Sequence, residues 1–294
     1  MDSTVAQVAS PEEFLERTRT FRDAHLMETN IISSVAISVS QGNKSYLDYF
    51  WWMVLEQNEI VGIAIRTVPN RMLVSPMPTL AARQLAKAVA VSDPDFWGVT
   101  GPEQVAVELM DAWCGFTGRE SGSYPIGMRE TTYLLGQHTP LAGVQGVARL
   151  ADEGDLELLM MWLPAFAEEV GVFRTGLPSE EELLRRIRST PFIVWEVNGS
   201  PVAMSGHSPV VVGASARIGR IGPVYTEPVE RGHGYGAAVT SAMIDHLNSI
   251  GCSTIMLYAD ENYEKSNRVY LGLGFRPVGA IVEIGVAPET QLQQ

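Results

Sequence analysis

The chain has 294 residues, 46% of them hydrophobic and 19% charged, and a formal net charge of −13. That length suits two globular domains of about 140 to 150 residues each. The acidic balance argues against a nucleic-acid partner, which calls for a basic surface, and suits a cationic acceptor such as an amine. No apolar run is long enough to span a bilayer, so no membrane partner is expected. Cys114 and Cys252 each sit among apolar residues and read as buried free thiols of a reducing compartment. With no basic-then-apolar leader, a cytoplasmic location is expected. The five histidines are scattered with no Cys/His cluster, so no metal is expected.

In chain order, Ser10-Pro11-Glu12-Glu13 caps and opens a helix over 11–27, with Phe14, Leu15, Thr18 and Phe21 on one stripe. A second helix is predicted over 30–40. Strands 50–56 and 60–67 flank Gln57-Asn58-Glu59 as a hairpin, with Trp51 and Trp52 as packing residues. A strand over 72–75, helix 80–90, strand 97–100, helix 103–116 ended by Gly118, and strand 131–136 complete the first half. Residues 137–144, with Pro140 and Gly143, read as a linker.

The second half repeats the plan. Strand 147–150 and helices 155–170 and 180–188 precede a hairpin, 192–197 and 201–206, around Asn198-Gly199. Strand 216–226 runs into Arg231-Gly232-His233-Gly234-Tyr235-Gly236-Ala237, which opens helix 235–250 with Val239, Met243, Leu247 and Ile250 on one stripe. Strand 254–258, helix 260–273 and strand 276–286 follow. The glycine-rich junction leaves backbone N–H groups convergent at the positive end of the helix, which suits a diphosphate. Arg231 adds a fixed positive charge.

Two motifs, Arg231-x-x-Gly234-x-Gly236 and Ser266-Asn267-x-x-Tyr270-x-x-x-Gly274-Phe275, stand in the order strand, helix, strand, helix. The combination resembles the GNAT superfamily of acetyl-CoA-dependent N-acetyltransferases. The resemblance implies a mixed α/β (α+β) fold of two tandem GNAT-like domains, each a mixed central sheet flanked by helices. Residues 1–140 are expected to be a degenerate copy, because the loop Pro76-Met77-Pro78-Thr79-Leu80-Ala81-Ala82 has no glycine or arginine and Pro78 has no N–H. Residues 141–294 are expected to be the acetyl-CoA-binding domain.

By the same resemblance, backbone groups at Pro223, Val224 and Tyr225 pair with the pantetheine arm, in a gap between two splayed parallel strands. Residues Arg231, Gly232, His233, Gly234, Tyr235, Gly236 and Ala237 hold the diphosphate. Tyr270 is the expected general acid for the leaving thiolate, with local packing as the alternative. Many family members carry an asparagine seven residues before this tyrosine, where Tyr263 stands here; Asn262 and Asn267 are the substitutes expected to contact cofactor. The base stays open between Asp260, Glu196 and His207.

Three functions compete: acetyl transfer to a primary amine by direct attack in a ternary complex, a catalytically silent acyl-CoA-binding sensor or scaffold, and transfer of another acyl group, as in glycine N-acyltransferase-like relatives. The acceptor is a small-molecule or peptide amine. The first half is expected to pack against the second and shape its acceptor side, giving a monomeric pseudo-dimer or a homodimer.

Overall fold

The computed structural model describes residues 3–122, 124–171, 178–189 and 191–286. They fall into two units, one of residues 3–40, 46–130 and 280–286, the other of residues 41–45 and 131–279.

The first unit begins with β1 (Ser3–Val8), α1 (Pro11–Arg17), α2 (Arg19–Ala24) and α3 (Asn30–Ser40). The helix expected over 11–27 is broken at Thr18, whose hydroxyl donates to Phe14 O at 2.6 Å while its backbone leaves helical geometry. Ser10 caps α1 by accepting from the Glu13 N–H at 3.2 Å. β2 (Asp48–Glu56), β3 (Glu59–Val68), β4 (Met72–Val74), α4 (Thr79–Ser92), β5 (Gly98–Gly101), α5 (Glu103–Thr117) and β6 (Ile126–Leu135) follow. The strands lie in the order β1-β2-β3-β4-β5. Successive strand residues face opposite sides of a sheet, so Trp52 joins the core under α4 and α5, and Trp51 the core under α1 and α3. β1, which the sequence pattern does not predict, pairs antiparallel with β2 from Ser3↔Glu56 to Val8↔Trp51.

The second unit contains β7 (Val147–Leu150), α6 (Leu156–Glu169), α7 (Glu180–Ser189), β8 (Ile193–Val197), β9 (Ser200–His207) and the short β10 (Val211–Val212). It continues through β11 (Arg217–Thr226), α8 (Tyr235–Ser249), β12 (Thr254–Asp260), α9 (Glu264–Gly272) and β13 (Phe275–Gly285). Its strands lie in the order β7-β8-β9-β11-β12. One face carries Val239, Met243 and Leu247 of α8 over Ile221 and Leu257; the other carries Trp162 of α6 and Leu183 of α7 over Phe192 and Tyr225. The last helix is shorter than the sequence predicts, because β12 runs on to Asp260.

The closing strands are divided between the units. Residues 126–130 of β6 belong to the first and 131–135 to the second; residues 275–279 of β13 belong to the second and 280–285 to the first. Thus β5 is flanked by the end of β13, antiparallel from Val282↔Gly101 to Gly285↔Gly98. The sequence predicts a closing strand of its own for each half, 131–136 and 276–286. Alternation and β-branching identify a strand but carry no information on which sheet it joins.

His207 ends β9 at 2% exposure. Its Nδ1 lies 2.8 Å from the Ser208 carbonyl, which can only accept, so Nδ1 carries the proton. Nε2 is buried with no partner among the described residues. Burial lowers its pKa to about 4. Above pH 6.5, the unfolded value, the group is neutral in both states. Between 6.5 and 4 only the unfolded chain takes up the proton, so stability falls with pH through that window, by a total on the order of 3 kcal/mol. Chemical denaturation at pH 7, 5.5 and 4.5 should show this loss in the wild type and a flatter profile in His207→Asn.

Candidate active site

The site starts from a change of pairing in β11. On one side β11 pairs antiparallel with β9, and the register shifts between Ile221↔His207 and Val224↔Ser205, leaving Gly222 and Pro223 opposite Gly206. Gly222 stands at φ +146°, a conformation that L side chains rarely adopt. On the other side β11 pairs parallel with β12 from Ile218↔Thr254 to Ile221↔Leu257. Beyond that pair β11 continues to Thr226 and β12 to Asp260 with no further pair between them. Backbone groups along this open edge have no strand partner, which suits a ligand that carries amides of its own.

The turn after β11 delivers the chain to α8. Gly234 is the helix N-cap, at φ +86°, and no side chain caps the helix. The first-turn N–H groups, which no helix can satisfy internally, are left for a ligand. Gly236 lies against Thr226, and a Cβ there would stand 3.2 Å from the Thr226 hydroxyl. His233 directs Nδ1 to Glu230 O at 3.1 Å and stacks on Tyr235, 5.4 Å between centroids. Tyr235 is itself buried in the α8 core. These features fit a diphosphate, which needs convergent N–H donors and room for close backbone approach.

Arg231 is already engaged. Its Nη2 lies 2.6 Å from Glu169 Oε2, its Nε donates to Thr226 O at 3.1 Å, and its guanidinium carbon lies 5.9 Å from the Tyr225 ring centre. The other Glu169 oxygen accepts from the Tyr263 hydroxyl at 3.1 Å. Glu169 had no sequence signal, because it lies 62 residues from its partner Arg231.

After β12 the chain turns tightly. Asp260 Oδ1 accepts from the Asn262 N–H at 2.9 Å, and the Asp260 carbonyl accepts from the Tyr263 N–H at 3.1 Å. Asn267 Nδ2 donates to the carbonyls of Asp260 and Glu261 at 2.9 and 3.2 Å, which fixes its amide orientation and leaves Oδ1 buried with no partner among the described residues. In this arrangement Asn267 is a clip on the turn, and the Asn262 side chain is exposed. Tyr270 packs on Tyr133 and edge-on to Phe275, each 6.1 Å between centroids. Burial, with smaller contributions from Tyr133 and Tyr263, raises its phenol to about 12, so it keeps its proton at neutral pH.

The base candidates differ sharply in their surroundings. Glu196 is held by Arg149 Nε at 2.7 Å, and Arg149 also grips Asp155 at 2.6 and 2.7 Å, so Glu196 is committed to an ion-pair network. The His207 ring lies 5.7 Å from His246 of α8, with Nε2 shut off from solvent. Asp260 remains at the end of β12 with one oxygen in its turn.

A parted parallel strand pair, a strand bulge and an uncapped glycine-initiated helix together define a domain of the GNAT fold. The Acetyltransferase (GNAT) family model matches residues 158–275, within the second half of the chain. A mycothiol acetyltransferase of Thermobispora bispora is 44% identical over 63 residues, 21% of this chain and 21% of that protein. One of Parafrankia sp. is 44% identical over 61 residues, 20% of this chain and 19% of that protein, so the match spans about a fifth of either relative. Among solved structures, a tandem GNAT protein from the clavulanic acid biosynthesis pathway aligns over 98% of this chain and 100% of its own, with a TM-score of 0.58 at 14% identity. A GNAT-family acetyltransferase from Colwellia psychrerythraea aligns over 97% and 100%, with a TM-score of 0.58 at 10% identity. The fold is therefore of the tandem GNAT type.

The Asn267 clip has a measurable consequence. Asn267→Ala removes both hydrogen bonds to the turn and should cost about 1–3 kcal/mol. Hydrogen exchange should rise locally at 260–263 and stay unchanged in β7 and β8.

Proposed function

We propose that the chain transfers an acetyl group from acetyl-CoA to an amine, using the second unit. The observation that carries this reading is the parting of β11 from β12 beyond Ile221↔Leu257, directly ahead of the uncapped start of α8. When bound, acetyl-CoA supplies an activated thioester. The N–H groups at 232–237 and Arg231 take its diphosphate, and the open edge at 223–225 meets the amides of its arm. Backbone N–H groups aimed at a developing oxyanion contribute in proportion to how well they are fixed, and the β9 ladder fixes this edge. Tyr270 holds a proton that a departing thiolate needs. We assign the base to Asp260, at the end of β12, whose Oδ1 accepts from the Asn262 N–H. The acceptor is a small molecule with an amine, in line with the mycothiol acetyltransferases that the chain resembles over 63 and 61 residues.

We also propose that the first unit holds no acyl-CoA. Its equivalent strands do not part: a Cβ on Gly101 of β5 would stand 2.5 Å from Val74 Cγ2 at the end of β4. Met77 lies over Gly62 of β3, where a Cβ would meet its side chain at 2.7 Å, and α4 begins after Pro78 rather than a glycine turn. Calorimetry should give one acetyl-CoA per chain; two would refute this assignment.

Two substitutions test the working site. Gly234→Val forces a branched residue into φ +86°, which should cost about 1–3 kcal/mol of stability while the chain still folds, and should weaken acetyl-CoA binding of the folded protein at least about tenfold. Equal affinity would remove the loop from the cofactor site. Tyr270→Phe should lower kcat about a hundredfold and leave acetyl-CoA affinity within about twofold, as for a proton donor used in the transition state. An unchanged kcat on an amine panel would leave Tyr270 as a packing residue.

A further inference from the structure

Glu169 is the last residue of α6, and its two carboxylate oxygens take one residue from each side of the parted strands. Arg231 belongs to the turn after β11 and meets Oε2 at 2.6 Å; Tyr263 belongs to the turn after β12 and meets Oε1 at 3.1 Å. One carboxylate therefore ties together the two turns beyond the open edge. It is also a negative charge on the arginine that a diphosphate would use. Side-chain exposures of 41% for Arg231 and 31% for Glu169 leave the pair open to exchange with solvent ions.

We propose that Glu169 is an anionic latch across the cofactor gap, which the diphosphate of an acyl-CoA must displace from Arg231. The proposal rests on the reading of that gap as the acyl-CoA site. Two anions compete for one guanidinium. The diphosphate can also draw on the first-turn N–H groups of α8, whereas Glu169 has only Arg231 and Tyr263. Displacement releases the Tyr263 hydroxyl as well, so the two turns part when ligand arrives and rejoin when it leaves. The rival role for Glu169 is to aim Arg231 at the ligand, and it predicts the opposite sign.

Calorimetry with acetyl-CoA on the full-length protein separates them. Glu169→Gln keeps the shape and an acceptor for Tyr263 but removes the charge. It should bind acetyl-CoA about three- to fivefold tighter at low salt, a range set by the modest worth of a half-exposed ion pair. The gain should shrink at higher ionic strength, and the association rate should rise. Tyr263→Phe should give a smaller gain in the same direction. If Glu169→Gln does not fold, Glu169→Asp, whose shorter reach draws the carboxylate back from Arg231, should show the gain instead. Unchanged or weaker affinity in the variants, with the wild type binding normally, overturns the latch alone. A wild type that fails to bind acetyl-CoA overturns the reading of the gap and the latch with it.

Discussion

Parallel strands joined by hydrogen bonds have no intrinsic reason to separate, and the second unit depends on making two of them do so. The device is local. Gly222 takes a backbone conformation that other residues rarely adopt, and Pro223 offers no N–H to either neighbour. The bulge against β9 re-aims β11 while β12 continues on its own course. A strand that leaves its neighbour early needs a longer turn to reach its helix. The eight residues 227–234 of that turn bring Arg231 and the glycines to the start of α8.

The first unit shows the same plan without the device. There β4 is three residues long and the chain reaches α4 after only residues 75–78. Ser75 is fully buried, with its hydroxyl accepting from the Ile63 N–H at 2.9 Å, so the end of β4 is stitched to β3 where β11 bends away from its neighbours. Close packing replaces the open edge. The same layers stand with that irregularity in one unit and without it in the other.

Much of this was legible in the sequence. The hairpins at Asn58 and Asn198, both residues at positive φ, arise from turn chemistry that acts over four residues. The apolar stripe of α8 and the glycines before it were equally local signals. β1 was missed because Ser3-Thr-Val-Ala-Gln-Val has too few apolar residues to stand out; pairing with β2 makes it a strand. The roles of Glu169 and Arg149 were invisible for a different reason. An ion pair between residues far apart in the chain leaves no period and no spacing to read, and the base candidates could be sorted only once Glu196 was found in the grip of Arg149.

The division of β6 and β13 between the units bears on how the protein is made. During synthesis the first unit can assemble β1 to β5 early, but the strand that flanks β5 is residues 280–285. Until the ribosome has added those residues, β5 presents a raw edge, the kind of edge that invites pairing with a neighbouring chain. The second unit, although later in the sequence, receives its 131–135 strand early and needs nothing beyond residue 279. The half that is translated first is therefore the half whose sheet waits for residues 280–285 to cover its β5 edge.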